Sequence, residues 1–362
     1  MQFQVRSLRL HKQTMPELSL TKSLTLLAGI LISCLGQAQL GGTTVFNSLN
    51  IPSSARVAAV GGNLIAVADN DLNLALYNPS LLDSAMTGQA GLSYVNYFAK
   101  TNFGSASFAK HVEDVATFGA TVQYFNYGRF DETDINGDKI GEFNAGDIAL
   151  TIGAGIPIDT NYTIGANVKV LYSALESYYS VGAAVDLAAT YNNVQRRFTA
   201  ALVMKNIGYQ LVAYNESNRE KLPFEIQLGI SKRLKHAPFR FSVIAENLQQ
   251  WDLTYVNANE GAVIDPISGE IVNQGGFAFG DKLMRHMVMG GEIIIGPNFC
   301  ARFGYNYRLR QEMKVSDKPG TAGLSWGLGI GIKRFNFSYA NAKFHLAGAS
   351  HHFTVTTQLS DW

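Results

Sequence analysis

Cysteine and proline are scarce in this sequence: Cys34 and Cys300 are the only two cysteines, and there are 9 prolines in 362 residues. Two cysteines exclude a small domain stapled by disulfides. Neither sign of charge is in excess, with 29 Lys+Arg against 28 Asp+Glu, so the basic surplus that neutralises phosphates is missing and nucleic acid is not an expected partner. After the first forty residues no stretch approaches the roughly 18 uninterrupted apolar residues of a spanning helix. Any later membrane crossing would have to be made by strands. What the chain does have is 35 glycines, 21 phenylalanines, 16 tyrosines and 47% hydrophobic residues, at a mean hydropathy of +0.03. That is too apolar for a disordered chain and too evenly mixed for a bundle of membrane helices.

Residues 1–38 have the layout of an export signal. Arg6, Arg9, Lys12 and Lys22 precede the apolar run Leu24–Ser33, and Gly36-Gln37-Ala38 supplies the small residues a signal peptidase needs. Cleavage after Ala38 is expected, with Met15 an alternative start. It removes four bases and one acid (Glu17), leaving 25 bases against 27 acids. Leu31-Ile32-Ser33-Cys34 also fits a lipobox, which would make Cys34 an acylated amino terminus. With Cys34 removed, Cys300 stands alone and no internal disulfide can form.

The rest of the chain is dominated by period-two patterning. Phe224, Ile226, Leu228 and Ile230 alternate with Glu225, Gln227, Gly229 and Ser231, while Leu324, Trp326, Leu328, Ile330 and Ile332 alternate with Ser325, three glycines and Lys333. Successive strand side chains point to opposite faces, so each segment has one oily face and one polar or small face. Fourteen such strands are expected, at 90–98, 103–111, 116–127, 144–156, 161–173, 178–191, 197–207, 223–234, 239–248, 285–295, 299–309, 322–333, 335–342 and 350–359. Many run about ten to thirteen residues, where a strand tilted through a bilayer needs about nine to eleven and ordinary strands average five or six. Short links alternate with long ones, the largest being 249–284, as in a barrel with tight turns at one end and loops at the other. The predicted architecture is all-β: a 14-stranded antiparallel transmembrane β-barrel over residues 90–362, in the outer membrane of a Gram-negative bacterium, with periplasmic termini and extracellular long loops.

If the oily face meets lipid, the charges must line the lumen, because Lys or Arg at mid-bilayer costs roughly 2–4 kcal/mol on the lipid face. These are Lys169, Asp186, Glu225, Arg240, Glu246, Glu292, Arg302, Arg308 and Lys333. Mutual pairing is their expected role, against a selective ion path. Residues 39–89 do not alternate and are expected to fill the lumen as a plug. Within them Ser53 or Ser54 fits the cap of a short helix around Arg56, ended by Gly61 or Gly62. Asp69 and Asp71 follow, and Asn78-Pro79 reads as a turn.

Gly41-Gly42-Thr43-Thr44-Val45-Phe46, Pro52-Ser53-Ser54-Ala55-Arg56, Asp69-Asn70-Asp71-Leu72-Asn73, Asn78-Pro79-Ser80-Leu81-Leu82, Glu246–Leu253, Gly304–Arg308, Glu312-Met313-Lys314 and His345–Ser350 together resemble the PorQ family of type IX secretion outer-membrane proteins. The resemblance extends over essentially the whole chain after the signal. Ser80 departs from the Asn-Pro-Ala usual in the wider FadL-like superfamily. The resemblance implies a FadL-like barrel working as a non-catalytic subunit without cofactor. It would anchor a PorZ-like surface protein in an attachment complex with PorU and PorV, where cargo is processed and joined to lipopolysaccharide. Within the 249–284 loop, Trp251, Phe277 and Phe279 are the expected partner contacts, with membrane-interface packing as the alternative. A FadL-like transporter of hydrophobic small molecules is the competing function.

Several motifs suggest chemistry and fail on context. Gly323-Leu324-Ser325-Trp326-Gly327 matches a nucleophile elbow, yet its serine lies inside an alternating strand instead of a strand-to-helix turn. Asp134-Ile135-Asn136-Gly137-Asp138 offers oxygens to a cation but lacks a loop-closing acid. Adjacent His351 and His352 face opposite ways and cannot converge with His345 on a metal. No catalytic, cofactor or metal residues are expected.

Overall fold

The computed structural model describes residues 44–99, 101–215, 219–254, 263–264, 271–272, 278–313, 320–346 and 348–359. The expected signal with Cys34, and Phe277, lie outside the described residues.

Fourteen strands close a single antiparallel barrel: β1 (Gln89–Asn96), β2 (Asn102–Val112), β3 (Ala116–Thr133), β4 (Lys139–Pro157), β5 (Tyr162–Leu175), β6 (Tyr178–Asn193), β7 (Phe198–Val212), β8 (Glu225–Arg233), β9 (Phe239–Ala245), β12 (Met287–Ile295), β13 (Phe299–Asn306), β14 (Leu324–Ile332), β15 (Phe335–His345) and β16 (Gly348–Gln358). A two-stranded ribbon, β10 (Val263–Ile264) with β11 (Ile271–Val272), lies in the longest link. The barrel closes where β1 pairs with β16, from Gln89↔Gln358 to Asn96↔His351. Closure of strands into a barrel is the condition for them to cross hydrocarbon. No helix among the described residues is long and apolar enough to cross a membrane.

The alternation sorts the two faces. Ile148, Leu150 and Ile152 of β4, Val168, Val170 and Tyr172 of β5, and Leu324, Trp326, Leu328 and Ile330 of β14 point outward and are exposed, while Asp147, Thr151, Lys169 and Ser325 between them are buried. A soluble sandwich would reverse that assignment.

Several elements differ from the sequence expectation: β7 runs on to Val212 where its end was expected at 207, and β9 stops at Ala245 instead of 248. The segment 128–143, expected as a loop, continues β3 and β4 as a paired hairpin with only residues 134–138 at its tip. The alternation through Tyr305, Tyr307 and Leu309 does not stay a strand: β13 ends at Asn306, whose side chain accepts the Leu309 N–H at 3.1 Å and starts helix α3 (Tyr307–Glu312). Helix α2 (Phe279–Arg285) precedes β12, so the strand expected from residue 285 starts at Met287. Helix α1 (Ala55–Ala59) forms where the sequence places it, but Ser54 makes no side-chain cap bond. The Ala55 N–H is taken instead by Thr354 Oγ1 of β16 at 2.9 Å. The left-handed Gly61 and Gly62, at φ of 102° and 95°, end it.

Residues 44–88 fill the barrel. Ala59 packs against Gly327, Val60 against Gly290, Ile65 against Gly229, Leu82 against Gly155 and Phe46 against Gly182, so the wall's glycines lie where the plug comes closest. The barrel's own ends, Gln89 and Gln358, meet at the tight-turn end. The described chain does not begin there. Thr44 forms a parallel bridge with Lys221 in the link between β7 and β8, and Val45 donates to the Lys221 carbonyl at 3.0 Å. From Thr44 the plug runs down the lumen from the long-loop end before entering β1 at the tight-turn end.

Candidate functional site

The lumen is organised in three polar layers, each joining wall to plug or wall to wall. At the tight-turn end three guanidiniums meet three carboxylates. Glu292 of β12 accepts from Arg56 Nε at 3.0 Å, Arg302 Nε at 3.0 Å and Arg240 Nη1 at 2.9 Å. Asp69 pairs with Arg56 at 2.7 Å and Arg240 at 2.6 Å, and Asp71 with Arg56 at 3.0 Å. Burial opposes the charge on Asp69 but the guanidiniums of Arg56 and Arg240 outweigh it, so its pKa falls well below the ordinary carboxylate value. Arg56 is held charged in the same way: burial pulls its pKa down, and Asp69, Glu292 and Asp71 more than restore it. Beside this network lies a polar recess of about 270 Å³ lined by Ser54, Asn73, Gln89, Cys300 and Asn336 among others.

Halfway up, Lys169 meets Asp186 at 2.7 Å and Asn206 at 2.9 Å, and Lys205 approaches Glu225 at 3.9 Å. Glu246 accepts from Arg308 Nη2 at 3.1 Å and from plug residue Asn63 at 3.4 Å. Arg308 therefore enters the lumen from helix α3 and not from a strand. Lys333 is not a lumen charge. Beyond the end of β14 it adopts φ 54° in the exposed turn to β15, where the alternation that would have turned it inward has ended.

Asn78, fully buried, docks the plug on the far wall. Its Nδ2 donates to the Ile65 carbonyl at 2.7 Å and Thr190 Oγ1 at 3.0 Å, while its Oδ1 accepts from the Ser80 amide at 3.0 Å and hydroxyl at 2.6 Å. Pro79 then opens a 3-10 turn, and Ser80 Oγ lies 2.7 Å from Thr190 Oγ1. The serine that departs from Asn-Pro-Ala thus contributes a hydroxyl to the anchor.

At the long-loop end a second recess, about 230 Å³, is lined by Val45, Phe46, Tyr127, Asp147, Leu175 and Tyr214, with others. Asp147 accepts from Ser48 and Tyr127, each at 2.6 Å, and from Ser173. Asp147 and Lys205 were not singled out in the sequence, although their positions in the alternation place both on the lumen face. The wall beside this recess is incomplete. The β7–β8 ladder stops at Lys205↔Glu225, yet β7 continues to Val212, and Leu222 and Pro223 ahead of β8 are buried.

Outside the long-loop end, Trp251 is 43% exposed and Phe279 69% exposed, their rings 5.4 Å apart. Trp251 also stacks on His286 at 5.6 Å, and His286 Nδ1 bonds the Glu246 carbonyl at 2.7 Å. Helices α2 and α3 are clasped by Tyr307 donating to Asp281 at 2.8 Å.

No protein family matches the chain, and no curated protein matches it either. Solved structures do. The CymD monoaromatic hydrocarbon channel is 13% identical at a TM-score of 0.50, over 87% of this chain and 99% of that one. The toluene transporter TodX of Pseudomonas putida gives 13% and 0.45 over 84% and 96%, and a Pseudomonas aeruginosa FadL homologue 8% and 0.48 over 85% and 98%. The fold is that of FadL-like outer-membrane barrels. Likeness at this identity shows architecture alone, since one fold hosts many tasks.

Proposed function

We propose that this chain is a plugged outer-membrane barrel that admits small hydrophobic molecules at its long-loop end, in the manner its FadL-like fold suggests. The observation that carries this reading is the half-built seam between β7 and β8 beside a recess lined by Val45, Phe46, Leu175 and Tyr214. The ion-paired plug bars an apolar molecule from a straight route, so entry would pass by the stretch of β7 beyond Lys205 that β8 does not pair. CymD is named as a monoaromatic hydrocarbon channel, and this supports uptake more than assembly. The test is uptake of radiolabelled toluene and of a labelled long-chain fatty acid by cells with and without the chain. Equal rates for both compounds would sink the reading.

A second reading is favoured by the rigid aromatic pair on the outer surface. Trp251 and Phe279, held by His286 and the α2–α3 clasp, form a preorganised patch of the kind that anchors protein interfaces. Together with the sequence resemblance it supports a non-catalytic subunit anchoring a PorZ-like surface protein, with PorU and PorV, for cargo attachment to lipopolysaccharide. Pulling the tagged chain from solubilised native membranes tests this. Recovery of a PorZ-like protein is expected, and recovery of the barrel alone would count against it.

A further inference from the structure

The hairpin of β3 and β4 rises clear of the barrel. β2 pairs with β3 only as far as Asn102↔Asn126, and β5 pairs with β4 only from Ala145↔Leu175. Beyond those points β3 and β4 pair with each other alone, from Gly128↔Ala145 to Thr133↔Lys139. At about 3.3 Å per residue, the six residues 128–133 stand roughly 20 Å above the last wall pairing. Among the described residues no strand pairs with either outer edge. The alternation of buried and exposed residues that marks the wall ends at Phe125 and Ala145, and both ribbon faces are largely wet above them.

An isolated two-stranded ribbon is marginal in water. This one is held by Phe130 stacked on its cross-strand neighbour Phe143 at 5.4 Å. Its charge is lopsided. Arg129 and Lys139 face Asp131, Glu132, Asp134, Asp138 and Glu142 within residues 128–144. Asp131 lies directly opposite Glu142, a repulsive placement, and both share the single Lys139 ammonium at 2.6 and 2.7 Å. At the tip Ile135 is 98% exposed.

We propose that this ribbon is a docking element that takes an extended, basic segment of another protein along an open edge. The unpaired backbone N–H and C=O groups supply the ladder, as in strand addition, and the acidic side chains select a positively charged strand. The same acids disfavour the two other candidates outside an outer membrane. Anionic lipid headgroups would be repelled, and a second copy would bring five further acids against these. The proposal goes beyond both readings of the barrel's task and requires neither.

The test places a photoreactive residue at Ile135 in the full chain, in its native outer membrane, and sequences the cross-linked peptides by mass spectrometry. The expected product is one dominant protein peptide with net positive charge. Its yield should fall about ten-fold or more in an Asp131→Lys, Glu132→Lys double variant. Because the ribbon stands above the wall, the barrel's heat-modifiable gel shift should be unchanged, and Asp134→Lys alone provides a second variant with a smaller fall in yield. Adducts confined to lipopolysaccharide or to a second copy, adducts scattered over many proteins, no adduct at all, or yields indifferent to charge reversal would each overturn the proposal.

Discussion

Arg56 and Glu292, separated by 236 positions in the sequence, meet at 3.0 Å inside the barrel, and this pair joins plug to wall. Glu292 takes two further guanidiniums from the wall, Arg240 and Arg302, so the wall carries a surplus of positive charge there that Asp69 and Asp71 of the plug complete. Neither the wall nor the plug balances its charge alone. The plug is therefore seated by electrostatic complementarity as well as by apolar contact with the wall glycines.

Truncating Arg56→Ala should unseat the plug without opening the barrel. It leaves Glu292 facing two guanidiniums and Asp69 facing one, with Asp71 stripped of its ion pair, and breaking a buried pair from one side costs roughly 3–5 kcal/mol. The heat-modifiable gel shift should persist, while protease cleavage within residues 44–88 rises. Arg56→Lys should fall between the two, because an ammonium cannot serve three carboxylates in the fork geometry of a guanidinium. Equal protease resistance in all three proteins would refute the assignment.

The same network sets a pH limit. Asp69 is depressed below its ordinary value of 3.8, so its stabilisation of the folded state is complete above that value and is lost as pH falls below it through the folded-state pKa. Planar-bilayer conductance should stay low from neutral pH down to about 4 and show openings as the pH drops further. In Asp69→Asn, which mimics the protonated acid, openings should already occur at neutral pH. Openings in the unmodified protein at pH 5, or none in the variant, would contradict this.

Much of the wall was legible because the signal is local: Ile148, Leu150 and Ile152 against Asp147, Ala149 and Thr151 can be sorted from six consecutive residues. The same locality explains the misses. Tyr307 and Leu309 continue the parity of Tyr305 by coincidence, and only the Asn306 cap reveals that a helix has begun. The 128–143 hairpin lost its alternation because both faces meet water, although its strands continue. Lys333 kept the lumen parity one residue past the end of β14. The plug network shows the other limit. Arg56, Asp69, Asp71, Arg240, Glu292 and Arg302 were all marked as plug or lumen charges, but which acid meets which base depends on contacts that no local pattern encodes, from 10 positions apart for Arg302 and Glu292 to 236 for Arg56 and Glu292.

If Trp251 and Phe279 form a protein-docking patch, Trp251→Ala should cut recovery of a surface partner from solubilised membranes while leaving the barrel's gel shift intact. Truncated aromatic anchors commonly cost about 2 kcal/mol or more, a loss of roughly thirty-fold in affinity. Phe279→Ala removes the more exposed ring and should act in the same direction. If toluene uptake falls in either variant while partner recovery holds, the aromatic pair serves the passage and not a docked protein.

The wall glycines offer a paired test of plug seating. A Cβ on Gly304 would collide with the backbone at Val60 and Gly61, whereas a Cβ on Gly291 would meet nothing within 4 Å. Backbone cannot swing aside as a flexible side chain can, so Gly304→Ala must displace the α1 end of the plug, and with it the Gly61 N–H bond to Ser325 Oγ at 3.0 Å. Gly291→Ala adds the same methyl to the neighbouring strand β12 and should leave the plug in place. Protease cleavage within residues 44–88 and neutral-pH conductance should both rise in Gly304→Ala and match the unmodified protein in Gly291→Ala. Identical behaviour of the two variants would mean that residues 55–62 do not rest against β13.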